Sequence, residues 1–241
     1  MTRARGAELY VGVSGFSYAS WKGEFYPAET KSEDFLSYYS KHLGSVEINS
    51  SFYSPPREAT VKGWAQRTEK RFRFAFKAPQ LITHVLKLGK GSVDAALRFS
   101  RTVELLGPRR GPILFQLPPY TKYDEELLSG FLSGTSGIGN RVFEFRHKSW
   151  FQDRTFELLD SSGAGFCIAE TEDMEPVFRT TGSLAYFRLR RESYERDTID
   201  SWASKIRQAV DGLPKAFVYL RHDETGANAL LAERLYAALT G

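Results

Sequence analysis

The sequence predicts an α/β protein with the architecture of an eight-stranded β/α barrel, the (β/α)8 or TIM-barrel fold, in a single domain over residues 1–241. Short apolar runs rich in β-branched and aromatic residues occur eight times along the chain, and helical stretches separate most of them. Eight units of roughly 30 residues each fit a barrel of about this length. The composition, 41% hydrophobic and 14% aromatic, is typical of a globular protein with a sizeable core.

The elements follow one another as a barrel requires. The strand candidates are residues 9–15, 45–49, 72–77, 113–117, 142–146, 166–170, 185–190 and 216–221. The helix candidates are residues 32–42, 92–106, 124–132, 153–162, 198–210 and 227–239. Strands that alternate with helices favour a parallel sheet. The stretch between 170 and 185 is too short for a crossover helix, so we expect the sixth helix to be stunted or missing.

Several strands alternate in polarity, although buried parallel strands are usually continuous apolar runs. In residues 142–146, for example, two phenylalanines oppose Glu144 and Arg146. The helices need apolar contact, so we expect the charged faces to point into the barrel. The inward set has two carboxylates and four cations: Glu47, Glu144, Lys77, Arg146, Arg188 and Arg190. Arg73 opens its strand and should lie at the opposite end.

This inward set leaves the upper interior about two charges positive. Burying that surplus unpaired would cost several kcal/mol per ion. A bound anion, or access of water from the open end, would relieve it. The overall formal net charge of +4 permits a nucleic-acid partner but does not require one.

Composition and motifs exclude several other classes. The single cysteine, Cys167, allows neither an intrachain disulfide nor a thiolate zinc site, and we expect it to be a small core residue. No Walker or dinucleotide-binding glycine pattern occurs, so no cofactor is predicted. A divalent ion could use His147, His222, Glu47, Glu144 and Asp223, but no HxH or HExxH spacing occurs and the pocket is rich in cations. We therefore predict no metal.

No apolar run reaches the length of a transmembrane helix, and the first residues show no apolar stretch of signal-peptide length. We therefore expect a cytoplasmic protein with no membrane partner. The sequence leaves its oligomeric state open.

Active sites of these barrels lie at the carboxyl ends of the strands. The candidates there are Ser14, Glu47, Asn49, Lys77, Gln116, Glu144, Arg146, His147, Glu170, Arg188, Arg190, His222 and Asp223. One interpretation makes Glu47 or Glu144 a general acid or base, with Lys77 and the arginines stabilising negative charge. The alternative is an internal salt-bridge layer that replaces an apolar one.

The end of the chain suggests an anion site. Phosphate often binds to the loops after strands seven and eight and to a helix N-terminus. Here Arg188 and Arg190 end strand seven, and residues 222–228 lead into the last helix with Gly226 among them. The alternative is an ordinary helix cap that includes Asp223.

Aromatic residues cluster in the first loops: Phe16, Tyr18, Trp21, Phe25, Tyr26, Phe52, Tyr53 and Trp150. Such side chains either pack the loops over the barrel mouth or stack on a ligand. We expect packing for most of them and ligand contact for Tyr18, Trp21 and Tyr53.

Five blocks of the sequence, in order, resemble the YecE-like barrels, a family known as a domain of unknown function (72). They are VGVSGFSYASWKGEFYP (11–27), VEINSSFYSPP (46–56), FRFAFKAPQLITH (72–84), LFQLPP (114–119) and FEFRHKSWF (143–151). The resemblance implies a TIM barrel and supplies no established reaction. The chain departs from the family pattern at Arg190-Arg191-Glu192, where His-Gly is usual, and at Arg221-His222-Asp223, where Asn-Asn-Asp is frequent.

Together these features favour an enzyme that acts on an anionic, for example phosphorylated, small molecule. A hydrolase, isomerase or lyase using carboxylate acid–base chemistry would fit. One alternative is a protein that binds nucleic acid or processes phosphodiesters, with the aromatic residues stacking on bases. The other is a barrel that binds a ligand without catalysis.

Overall fold

The structure is a computed structural model that describes residues 3–4 and 6–241. Eight parallel strands form a nearly closed barrel, which confirms the predicted fold class. The strands are β1 (Ala7–Val13), β2 (Ser45–Ile48), β3 (Arg73–Lys77), β4 (Arg110–Gln116), β5 (Arg141–Glu144), β6 (Gly165–Glu170), β7 (Leu184–Leu189) and β8 (Lys215–Leu220). A two-residue strand, Arg3–Ala4, pairs antiparallel with β1.

Seven α-helices surround the barrel in the described part of the chain. They are α1 (Phe35–His42), α2 (Glu58–Gln66), α3 (Ser92–Glu104), α4 (Glu125–Gly134), α5 (Asp153–Ser161), α6 (Arg196–Ala209) and α7 (Ala227–Thr240). No helix forms over residues 171–183, between β6 and β7, which confirms the expected gap. None of the helices in the described ranges is long and apolar enough to cross a membrane.

Helix α2 was not predicted. Its sequence, EATVKGWAQ, has four polar residues, and Val61 is its one fully buried residue, with Trp64 and Ala65 partly buried against the core. This apolar stripe is one turn long and contains Gly63, a poor helix former, so periodicity gives only a weak signal for the helix.

The alternating strands place their two faces as the sequence predicts. Outward phenylalanines pack on the helices: Phe76 meets Phe99 of α3 and Phe143 meets Phe131 of α4, both at nearly right angles. The lower interior is filled by aromatic rings, among them Tyr10 stacked on Phe217 at 4.8 Å. The Arg73 guanidinium lies 5.0 Å from the centre of the Tyr10 ring, at the lower end as expected.

The barrel closes between β1 and β2, where pairing is sparse. One parallel bridge joins Ser14 to Glu47, and lower down the Tyr39 hydroxyl spans the seam. That hydroxyl accepts from the Val13 amide and donates to the Ser45 carbonyl, both at 2.9 Å. A Cβ at Gly12 would lie 1.8 Å from the same carbonyl oxygen. The close approach of the two strands therefore requires glycine at position 12.

Candidate active site at the open end of the barrel

A buried triad of charges lies across the upper interior. Arg188, on the inward face of β7, donates to Glu47 Oε1 at 2.8 Å and to Glu144 Oε2 at 2.7 Å. All three side chains are at most 3% exposed. Arg146, just beyond β5, forms a further ion pair with Glu144 Oε1. The direct pairing that the sequence analysis named as a salt-bridge layer is therefore present for these four residues.

The triad fixes the ionisation of both carboxyl groups. Burial by itself raises the pKa of Glu47, but the charges on Arg188 and Arg190 outweigh it and hold the pKa below its usual range. The Glu144 carboxyl responds in the same way: burial raises its pKa, and Arg188 and Arg146 together lower it to about 2. Both groups are carboxylates at neutral pH, and both are held as hydrogen-bond acceptors.

Two neighbouring hydroxyls complete the shell around Glu47. The Tyr186 hydroxyl donates to Glu47 Oε2 at 2.8 Å, and Ser14 Oγ donates to Oε1 at 3.0 Å. Ser14 Oγ in turn accepts from Arg190 Nη1 at 2.6 Å. Tyr186 lies two residues before Arg188 on the same face of β7, but nothing in the sequence marked it as a partner of Glu47.

Arg190 lies above the triad and has no carboxylate partner among the residues that the structure describes. Its side chain is half-buried at the end of β7. Burial and the charge on Arg188 lower the pKa of this guanidinium to about 10, so it stays charged at neutral pH. Its contact with Ser14 leaves most of its donors without a protein acceptor.

Lys77 ends β3 with its side chain directed into the barrel. Its Nζ lies 3.9 Å from the centre of the Phe52 ring, and no ion pair or hydrogen bond to it is found in the described part of the chain. Burial lowers the pKa of Lys77 to about 8, and the charge on Arg188 adds to this. Lys77 and Arg190 are thus the two cations of the inward set for which the described residues provide no ion-pair partner.

Other polar atoms around the mouth also lack partners. Asn49 Oδ1, His222 Nδ1 and Arg146 Nε are buried and have no hydrogen-bond partner within residues 6–241. Buried polar atoms are nearly always paired with protein, water or ligand. These three atoms therefore mark positions where a bound molecule could supply the missing hydrogen bonds.

Three predicted site residues are occupied by structural contacts. The Trp21 ring is fully buried, packs against Gly226, and donates its N–H to the Asp223 carbonyl at 2.8 Å. Asp223 caps α7, because its carboxylate accepts from the amides of residues 225–228 at 3.0–3.3 Å. His147 Nδ1 accepts from the Ser149 amide and so caps the turn Lys148–Trp150.

The capping by Asp223 bears directly on the predicted phosphate site. An anion at the start of α7 would need the amides that this carboxylate already uses. The ordinary helix cap, the alternative left open by the sequence, is therefore the arrangement found there. Glu170 is similarly engaged: it faces outward and accepts from the Tyr194 hydroxyl and from Trp202 Nε1.

The remaining predicted residues stay at the mouth. Tyr18 stacks on His222, with ring centres 5.0 Å apart and planes at 6°. Gln116 is half-buried at the end of β4, next to Glu144 of β5 in the strand register. Tyr53 is 77% exposed, whereas Phe25, Tyr26, Phe52 and Trp150 are buried as expected for packing residues.

One residue near the pocket, His84, was not among the predicted site residues. It lies on a π-helical turn, Leu81–Val85, and its ring packs edge-on against Phe52 at 4.7 Å. Burial lowers the pKa of His84, and the charge on Lys77 lowers it further. π-Helical turns are frequent at functional sites, but their hydrogen-bond pattern cannot be read from the sequence.

No group of three or more His, Cys, Asp or Glu side chains in the described residues is arranged to hold a metal ion. Cys167 is buried in the barrel interior, and burial raises the pKa of its thiol well above the ordinary value.

Comparison with known proteins places these features in a family. Residues 10–241 match the family described as protein of unknown function DUF72. A solved DUF72 family protein from Thermotoga maritima superposes with a TM-score of 0.84 at 26% identity, covering 97% of this chain and 99% of the other.

Two curated relatives are similar in sequence. UPF0759 protein YecE of Escherichia coli K12 is 29% identical over 144 residues, which cover 59% of this chain and 50% of the relative. UPF0759 protein YunF of Bacillus subtilis is 28% identical over 156 residues, which cover 62% and 54%. The chain thus spans about half the length of the curated relatives it matches.

Proposed function

The chain belongs to the DUF72 family, and from that premise we propose that the open end of its barrel is the active site of an enzyme for an anionic small molecule. One observation carries the proposal. Lys77 and Arg190 are half-buried cations that face the mouth without a carboxylate partner in the described residues. Charges removed from water without a partner are costly, so they favour a ligand of opposite sign.

A count of charges indicates what the ligand would carry. Glu47 and Glu144 are balanced by Arg188 and Arg146, through the ion pairs described above. Lys77 and Arg190 then remain as two positive charges. A phosphate monoester carries close to two negative charges at neutral pH, so it matches this surplus.

The residues divide into two groups in this proposal. Arg190 and Lys77 bind the anion, and Arg146 Nε donates a further hydrogen bond to it. Asn49 Oδ1 accepts from a hydroxyl or N–H elsewhere on the ligand, and His222 Nδ1 donates or accepts according to its tautomer. Glu47 and Glu144 hold the arginines in place. A carboxyl group whose pKa lies near 2 and whose oxygens are all engaged is a weak base, so we assign proton transfer to groups with pKa values closer to neutrality.

The position and the pKa of Lys77 favour catalysis over binding alone. Enzymes of this fold act at the carboxyl ends of their strands, where Lys77 lies. A half-buried amine with a pKa of about 8 changes charge near physiological pH. Hydrolysis, isomerisation and elimination all need such a group, and the fold alone does not choose among them.

Calorimetric titration with sulfate at constant ionic strength tests the anion site, since sulfate stays a dianion throughout the neutral range. We expect saturable binding, and a loss of affinity of about tenfold or more in Arg190→Gln, because charged hydrogen bonds contribute about 1.5–3 kcal/mol. Arg234→Gln is the matched control, since it removes an exposed arginine paired with Asp200 on the outer helices. Equal affinity in both variants would contradict the proposal.

Two further conditions sharpen the test. Because Lys77 loses its charge as the pH rises through about 8, sulfate affinity should fall over that range in the wild type and not in Lys77→Met. A parallel titration with single-stranded DNA tests the nucleic-acid alternative, which the exposed Tyr53 ring supports. DNA binding that weakens steeply with salt and depends on Tyr53, without sulfate binding, would replace the proposal.

A further inference from the structure

The surroundings of Lys77 favour its neutral amine more than water does, although the side chain is still mostly protonated at pH 7. One side of its Nζ faces the Phe52 ring, and in the described residues no acceptor takes any of its three N–H donors. Phe52 is held in place because it is only 8% exposed and because Ser51 ties the turn to β3: Ser51 Oγ donates to the Lys77 carbonyl at 2.7 Å. The backbone of Lys77 is therefore fixed, while its amine stays free.

The charges around Lys77 reinforce this environment. Burial is the largest cause of its lowered pKa, and Arg188 and Arg190 lower it further. Glu144 and Glu47 oppose them, but both carboxylates are already paired with Arg188. With a pKa of about 8, roughly a tenth of the side chain is a neutral amine at pH 7. Lysines desolvated beside other cations are those that react as nucleophiles with carbonyl compounds.

His84 is a titratable group in the neighbourhood of Lys77. Its ring contacts the same Phe52 that Lys77 contacts, and Lys77 is the charged group that acts on it. Its Nδ1 lies 2.9 Å from Thr83 Oγ1, a hydroxyl that is almost completely buried and that fixes the ring orientation. Because the pKa of His84 is lowered by burial and by Lys77, the imidazole is mainly neutral at pH 7 and can accept or donate a proton.

We propose that Lys77 forms an imine with the carbonyl carbon of an anionic aldehyde or ketone, whose anionic group is bound by Arg190. This inference rests on the proposed anion site and names the substrate class. The neutral amine attacks the carbonyl carbon, so a C–N bond forms and the π electrons of the C=O bond move to oxygen. The nitrogen gives up one proton and the oxygen takes up one, which yields the carbinolamine. Loss of that oxygen as water leaves a protonated imine, so one water is released for each bond formed. His84 supplies and removes the protons.

Reductive trapping tests the inference on the whole protein. Pyruvate serves as the anionic carbonyl probe and hydroxyacetone as the neutral one, each with sodium cyanoborohydride, followed by mass spectrometry of peptides. We expect one reduced pyruvate adduct, on Lys77, formed about tenfold faster than on any other lysine, because a bound anion raises the local concentration of the carbonyl. Lys77→Arg should lose the adduct.

Lys62→Arg is the matched control. Lys62 lies on the surface of α2, exposed and paired with Glu58, so this variant should label like the wild type. Adducts spread evenly over the lysines of the wild-type protein would overturn the inference, and this readout needs no variant to fold.

The two probes separate this inference from the anion site. If sulfate binds but pyruvate is not trapped on Lys77, the imine inference fails and the anion site stands. If hydroxyacetone is trapped on Lys77 in both wild type and Arg190→Gln while sulfate does not bind, the amine is reactive and the anion site fails. If the anion site and the imine inference are both correct, trapping of pyruvate on Lys77 should fall about tenfold in Arg190→Gln, and trapping of hydroxyacetone should not fall.

Discussion

Replacing Arg188 by methionine isolates the energetic role of the buried triad. Methionine keeps much of the side-chain volume and removes the charge that Glu47 and Glu144 share. Glu144 keeps its ion pair with Arg146. Glu47 loses its direct ion pair and keeps the hydroxyls of Tyr186 and Ser14 and the charge on Arg190, which forms no ion pair with it in the described residues. We therefore expect Glu47 to be the group that takes up a proton in the folded variant.

The magnitude follows from that protonation. Keeping a glutamic acid protonated costs about 1.4 kcal/mol for each pH unit above its unfolded pKa of about 4.3, which is about 4 kcal/mol at pH 7. This agrees with the loss of about 3–5 kcal/mol that is usual when one partner of a buried ion pair is removed. We therefore expect Arg188→Met to lose about 4 kcal/mol of unfolding free energy at pH 7.

The sign of the pH dependence gives a sharper test. In the wild type the pKa values of Glu47 and Glu144 are lowered, so both groups are ionised in the folded and the unfolded state between pH 5 and 7. In the variant the folded pKa of Glu47 is raised above its unfolded value. The folded variant then holds one extra proton, and its stability should fall by about 1.4 kcal/mol per pH unit as the pH rises from 5 to 7.

Urea denaturation at several pH values measures this difference. Adding Glu47→Gln to Arg188→Met should remove the slope, because no carboxyl group is left to protonate. Arg141→Met is the control: Arg141 is also buried, but it donates to the carbonyls of Leu132 and Ser162 and to Thr135. The Arg141→Met variant should be less stable than the wild type, and this loss of unfolding free energy should not depend on pH between 5 and 7. Parallel stability curves for wild type and Arg188→Met would refute the reasoning.

Two smaller perturbations test the loop and the cap around the mouth. Gly226→Ala should lower the unfolding free energy by about 2 kcal/mol or more in urea denaturation, because φ is +93° and the new Cβ would lie 2.9 Å from the Trp21 ring. The control, Gly23→Ala, has φ +89° with open space around it and should lose only about 1 kcal/mol. Equal losses would exclude the contact with Trp21. Asp223→Ala should cost about 1–2 kcal/mol through the lost cap and should not weaken sulfate binding. A tenfold drop in sulfate affinity (about 1.4 kcal/mol) would return Asp223 to the binding site.

The sequence determined much of the fold. Period-two alternation in the strands around Lys77, Glu144 and Arg188 was sufficient to direct charged side chains inward and phenylalanines toward the helices, since a strand can bury only one face against them. The short stretch before β7 was sufficient to predict the missing helix. Helix α2 was missed because its apolar stripe, Val61 with Trp64 and Ala65, is only one turn long and is interrupted by Gly63.

The candidate site was only partly predictable. Sequence placed Lys77 and Arg190 at strand ends but gave no reason to separate them from Arg146 and Arg188. Trp21 and Asp223 are residue types that often bind ligands, but here Trp21 is buried and donates to the Asp223 carbonyl, and Asp223 caps a helix. Such choices depend on which neighbours happen to satisfy a polar group, and those neighbours come from other parts of the chain.

By itself, then, the sequence determined that two carboxylates and four cations point into the upper barrel, because the direction of a strand side chain follows from its position in the strand. Only the tertiary structure decided which of them neutralise one another. Arg188 is separated in sequence from Glu144 by 44 residues and from Glu47 by 141 residues, yet it hydrogen-bonds to both. The closure and register of the barrel bring these ion pairs together. They leave Lys77 and Arg190 as the charges that a ligand would have to balance.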